Sequence, residues 1–284
     1  MDDSLAEGAW HIHPEMRAAL RIGRVRHAAD QCAWSDVILE AEELLDEDPD
    51  HQEGLSLLGE ALLEIGDFEL ARQVLEHRVA LDGTDANTLS GLALAAFQQV
   101  DLAAAGVAAR EAIRLDSGDA RAHYLLGMVL EREPGRQAEA LTALSAAAAL
   151  DPARYPLPIA ILPEEWDAVI SAAVGRLPDR LRAFYDGLSV RIEELPDLEE
   201  LREAVPPLPP TVGALCMGHP PDEGDPFEQR PTLVRLFARN LARAGSLEAV
   251  VDELAHGLQE EALDWLGVEL DALDALEGIE GPET

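Results

Sequence analysis

The chain contains no lysine: its 21 basic residues are all arginine, set against 56 acidic residues, and the formal charge is −35 over 284 residues. A surface so poor in cations repels phosphate. Nucleic acid and anionic membrane both bind through basic patches, so neither is an expected partner, and a basic protein suits the surface better. Cysteine is nearly absent as well. Cys32 and Cys216 lie far apart and form no CxxC or metal-cluster spacing, which predicts two buried thiols in a reducing compartment rather than a disulfide. The N-terminus, MDDSLAEGAW, carries acids where a signal peptide needs positive charge, and no apolar run approaches membrane-spanning length. A cytoplasmic location is the expectation.

What the chain does have is apolar residues, 48% of the total, enough for the core of one large or two ordinary domains. They are punctuated regularly. Acid-plus-turn pairs recur at Asp48-Pro49, Asp82-Gly83, Asp116-Ser117 and Asp151-Pro152, a return every 34 or 35 residues. Small residues keep the same beat: Gly59, Ala93 and Gly127 in one row, Ala71, Ala105 and Ala140 in another. Large apolar residues such as Leu55, Leu58 and Leu62, or Tyr124, Leu125 and Met128, fill the space between at helical spacing.

This pattern resembles the tetratricopeptide (TPR) family over residues 16–152, about four helical hairpins, with the first, around Trp34 and Ala41, matching weakly as an end cap does. The resemblance implies an α-α superhelix that binds a protein or peptide in a concave groove lined by the first helix of each pair. It implies binding, not chemistry. His51, His77 and His123 fall within the repeats, and no two form an i,i+4 pair, so they are expected to be hydrogen-bonded helix histidines rather than metal ligands.

After Asp151 the pattern changes. Pro152, Pro156, Pro158 and Pro163 mark a linker over 153–162. Helices are predicted at Glu164–Leu177 and Asp179–Leu188, and strands at Leu188–Glu193, Thr211–Met217 and Thr232–Phe237. A loop is predicted over Gly218–Pro226. A final helix starts at Ser246 as N-cap, with Leu247, Val250, Val251, Leu254 and Leu258 on an apolar face and Asp252, Glu253, His256 and Glu260 on the polar one. The predicted fold is therefore mainly α: an N-terminal TPR-like superhelix, then a small α+β domain over 163–276, with tails at 1–15 and 277–284.

The segment Leu233-Val-Arg-Leu-Phe-Ala-Arg-Asn-Leu, followed by Val250-Val-Asp-Glu-Leu-Ala-His-Gly-Leu, is similar to the small bacterial zincin-like metallopeptidase family. The earlier strands fall in that family's order over about residues 163–268. Its helix carries His-Glu-x-x-His, in which residues at i and i+4 hold one zinc and the glutamate activates the zinc-bound water. The resemblance puts Glu253 at the general base, and Asp252, His256 and Glu260 at the zinc ligands. Asp252 departs from the family's histidine. Gln259 and the following Glu260, Glu261 and Ala262 depart from its glycine and aspartate. Three readings stay open: a TPR stack that recruits a protein partner and carries a peptidase-like domain with weak or lost Zn2+-dependent activity, a TPR scaffold whose second domain is catalytically silent, and a helical cap unrelated to peptidases. His219, in the Gly-His-Pro-Pro loop, is an outside site candidate.

Overall fold

A computed structural model describes residues 14–82, 85–205, 207–218 and 230–267. His219 and the rest of its loop lie outside the described residues, as do most of both tails. The chain divides into two compact units, Met1–Leu150 and Asp151–Thr284.

The first unit is four helical hairpins: α1 (Pro14–Asp30) with α2 (Trp34–Glu47), α3 (Gln52–Glu64) with α4 (Phe68–Asp82), α5 (Ala86–Gln98) with α6 (Leu102–Leu115), and α7 (Ala120–Leu130) with α8 (Gln137–Leu150). Side-chain caps explain the period. His51, Asp85 and Asp119, spaced 34 apart, accept from the backbone N–H of Gly54, Thr88 and Ala122 at the starts of α3, α5 and α7. Asp67 and Asp101 do the same for α4 and α6, each cap contributing about 1 kcal/mol. The small residues are where helices touch: a Cβ on Gly59 would stand 2.7 Å from Leu75 Cγ, and one on Gly127 2.6 Å from Leu144 Cγ. Ala71 and Ala105 are fully buried, and Ala140 nearly so.

The histidines behave as hydrogen-bonded helix residues. His51 is the α3 cap, His77 Nε2 meets Asp50 Oδ1 at 2.9 Å, and His123 Nε2 meets the Ser117 carbonyl at 3.1 Å. Cys32 corrects an expectation. It is exposed, at the tip of the α1–α2 turn with φ of 53°, because the turn closes through Cys32 N–H to Ala29 and Ala33 N–H to Ala28 and turns the residue outward.

In the second unit a short 3-10 turn leads into α9 (Trp166–Arg176), then α10 (Asp179–Tyr185), β1 (Ser189–Glu193), α11 (Leu198–Glu203), β2 (Ala214–Met217), β3 (Leu233–Phe237), α12 (Ala238–Ala242) and α13 (Leu247–Leu266). The sheet order is β1-β3-β2, with β1 parallel and β2 antiparallel to β3. That pairing sets aside the purely helical cap. Val234 and Leu236 face a core shared with Phe184, Leu181, Val250, Leu254 and Leu258. On the other face, Arg235 joins strand to strand and strand to helix: its guanidinium meets Glu193 Oε2 at 2.7 Å and Glu200 Oε1 at 2.5 Å. Those carboxylates hold its pKa above the ordinary arginine value.

Several boundaries differ from expectation for local reasons. Thr211 and Val212 form a turn, with Val212 N–H bonded to the Pro209 carbonyl, so β2 starts at Ala214. The helix at Asp179 ends at Tyr185, because Asp186 is extended and Gly187 has φ of +73°. Leu247 is 44% exposed rather than part of the α13 core face.

Candidate functional site

In the first unit the odd-numbered helices pack against one another in succession, α1 on α3, α3 on α5, α5 on α7, whereas no comparable packing links the even-numbered ones among the described residues. The odd helices therefore form the inner, concave layer. Side chains 34 apart line up across it: Glu53, Asn87 and Arg121; Ser56, Ser90 and Tyr124; Glu60, Leu94 and Met128. Arg121 ties three of these helices together. Only 10% of its side chain is exposed, and it donates to Glu60 Oε1 at 2.9 Å on α3, and to Asn87 Oδ1 and Ser90 Oγ, both at 2.9 Å, on α5. Arg26 on α1 reaches Glu53 on α3 at 2.5 Å. Arg132, just past α7, lies over the Phe97 ring at 5.5 Å and donates to the Met128 carbonyl. The groove's arginines are thus engaged within the chain, while Leu94 and Tyr124 sit half-buried among them.

On α13, Asp252, Glu253, His256 and Glu260 all lie on the exposed face, but the structure does not bring the three zinc-ligand candidates together. Asp252 is ion-paired with Arg176 of α9. His256 Nε2 pairs instead with Glu260 at 3.2 Å. Glu253, His256 and Glu260 line a pocket of about 590 Å3 with Glu261 and the 208–214 segment, and Asp252 is not part of its wall. Among the described residues no group of three or more His, Cys, Asp and Glu side chains is placed to hold one metal ion. A guanidinium on the first candidate ligand opposes a dication there. In this arrangement Asp252, His256 and Glu260 are not placed to hold one ion together.

No family model matches the chain, and no curated protein does. Solved structures similar to it include a MamA protein, 27% identical over 48% of this chain and 73% of that one, with a TM-score of 0.43. YrrB, described as a TPR protein with an unusual peptide-binding site, is 18% identical over 48% and 69%, at 0.42. A thermophilic TPR protein of Thermus thermophilus is 19% identical over 47% and 74%, at 0.42. Each covers about half of this chain. The repeat character of the first unit rests on its own capped, 34-residue hairpins. No helix of the described residues is long and apolar enough to cross a membrane.

One cluster went unseen in the sequence. Glu261 accepts from the backbone N–H of Cys216 on β2 at 2.6 Å. Tyr185 O–H, bonded to the Leu258 carbonyl, stands 3.8 Å from Cys216 Sγ. Burial pushes the Glu261 carboxyl up to about 7 against the lowering effect of that N–H, and burial pushes the Cys216 thiol up to about 12. Tyr185 is raised for the same reason. The three residues are 31 and 45 positions apart, at no motif spacing, so only the sheet reveals them.

Proposed function

We propose that this chain is a non-catalytic protein-binding scaffold whose first unit receives a basic peptide segment in the groove of its odd-numbered helices. The observation that supports this reading is the state of the groove's cations. Arg26 and Arg121 are neutralised by Glu53 and Glu60, and Arg132 is stacked on Phe97, so the groove is poorly set to clamp an acidic segment. A cationic segment is drawn by the chain's charge of −35 and finds apolar footing on Leu94 and Tyr124. The second unit enters as a structural domain that keeps strands and a long helix in the order of zincin-like peptidases, with Asp252 tied to Arg176.

The test is a titration of a fluorescent arginine-rich peptide against the full chain and against Leu94→Arg and Tyr124→Arg, at two salt concentrations. Both variants are expected to weaken binding at least about tenfold, and added salt to weaken it further. Affinity unchanged from the parent chain in both variants, or stronger binding of an acidic peptide, would overturn the groove as the site.

A further inference from the structure

The sheet of the second unit has two edges, and the structure treats them differently. On β2 the Cys216 N–H is taken by the Glu261 carboxylate, and α13 packs along the strand. That edge is closed by the chain's own helix. β1 pairs with β3 on one side, and among the described residues no side chain caps its other side. Its apolar side chains are left out of the core. Val190 and Ile192 lie beside Val234 and Leu236, which are 2% and 1% exposed, yet are themselves each 41% exposed. The helical layer covers β3 and stops short of β1. Beside the strand, between α9 and α10, runs a groove of about 920 Å3 whose apolar wall is Ile170, Val174, Leu188 and Val190. Asp167, Asp179 and Asp186 also line it. The arginine in its lining, Arg182, is engaged by Asp179 at 3.3 Å and by the carbonyls of Gly175 and Leu177.

We propose that the open edge of β1 and this groove form a docking site for an extended segment of a protein partner, apolar at every second residue and flanked by arginine or lysine, which adds to the sheet as a fourth strand. Each part of that chemistry answers a feature of the site. The free edge of a sheet offers a row of backbone donors and acceptors that only another strand satisfies along its length. Alternation places one set of partner side chains over Val190 and Ile192 and into the groove. Flanking cations meet the aspartates. A second copy of this chain is a poor occupant: two chains of charge −35 repel, and antiparallel self-pairing centred on Arg191 would set that arginine against its own counterpart. The site is independent of the groove in the first unit.

The probe is a labelled Arg-Val-Thr-Val-Thr-Val-Arg peptide, titrated by anisotropy into the full chain. Its companions are the glutamate-flanked analogue and two analogues methylated at alternate backbone nitrogens, one for each set of edge-facing N–H groups. The arginine-flanked peptide is expected to bind, with the acidic analogue, one methylated analogue and Ile192→Asp each weakening it at least about tenfold. Tyr124→Arg, in the groove of the first unit, is expected to leave unchanged the part of the binding that backbone methylation removes. The methylated peptides probe the unaltered chain, so the result holds even if Ile192→Asp folds poorly. Absence of binding, equal binding of the acidic analogue, or indifference to both methylations would overturn the proposal. So would a full-chain dimer by sedimentation that Ile192→Asp converts to monomer, since a second copy would then occupy the edge.

Discussion

In the repeat unit the apolar interior is broken into successive clusters, each built from neighbouring hairpins. In the second unit, helices from both ends of its sequence close over one sheet around a single cluster. The repeat clusters rely on small residues and on polar ties such as Arg121 to Glu60, so each hairpin is stabilised by the next. The second unit relies on large side chains brought together from Trp166 to Leu266, so no part of it has a core of its own. A stack of this kind opens piecewise from its ends, whereas a single core opens as one.

The largest effect that sharpens this contrast comes from matched core truncations. Leu254→Ala removes a fully buried side chain of α13, and Leu125→Ala one of α7 that is 1% exposed. Each is expected to cost about 2 to 5 kcal/mol. Their reach should differ. Hydrogen exchange is expected to accelerate throughout the second unit for Leu254→Ala, but mainly in α5 to α8 for Leu125→Ala, with α1 to α3 still protected. Uniform loss of protection across all four hairpins would show that the repeat unit is as cooperative as its neighbour, and the contrast would fail.

The same difference decides what the sequence can reveal. The repeat unit is built from local, recurring contacts, so Gly59, Gly127 and the caps at Asp85 and Asp119 announce themselves by spacing. The strands of the second unit are also legible, since alternation is local. How β1, β2 and β3 order into a sheet is not, because pairing joins Ser189 to Leu233 across 44 positions. Short α11 and α12 carry too few residues for a period to show, although Asp197 before Leu198-Glu199-Glu200 is a cap signal that could have found α11. The candidate site was legible only in part. Asp252, His256 and Glu260 do share the polar face of α13, as i,i+4 spacing requires, but the partner of Asp252 is Arg176, which no pattern on α13 encodes.

A smaller effect separates the units by pH. Glu261 is half-buried, and that burial raises its pKa from 4.5 to about 7, whereas Glu111 and Glu139 of the repeat unit are lowered by hydrogen bonds from Arg114 and Arg136. A raised acid binds its proton more tightly in the fold than in the unfolded chain. Its protonated form is therefore favoured by folding at low pH, and stability falls as pH rises between about 4.5 and 7. Glu261→Gln keeps an acceptor for the Cys216 N–H without the charge. It is expected to stabilise the second unit by about 1 to 3 kcal/mol at pH 8 and to leave it nearly unchanged at pH 4. Denaturant melts of both proteins across that range check it. A difference independent of pH would mean that folding does not raise the pKa of this carboxyl.

The smallest expected effect is the most decisive for function. Glu253 and His256 occupy the polar face of α13, and His256 is 65% exposed on its side chain. On a non-catalytic surface, Glu253→Gln and His256→Ala each shift stability by less than about 0.5 kcal/mol, because exposed helix ion pairs contribute little. Neither should alter capture of the arginine-rich peptide by the groove. Elemental analysis of untagged protein, incubated with zinc and then dialysed, supplies the second readout. Zinc retained near one equivalent per chain and lost in His256→Ala would mean that Asp252 leaves Arg176 to ligate the ion, and peptidase assays with Glu253→Gln as the control would then follow. Zinc uptake equal in the two proteins would leave α13 as a helix that packs along β2 and holds no metal through His256.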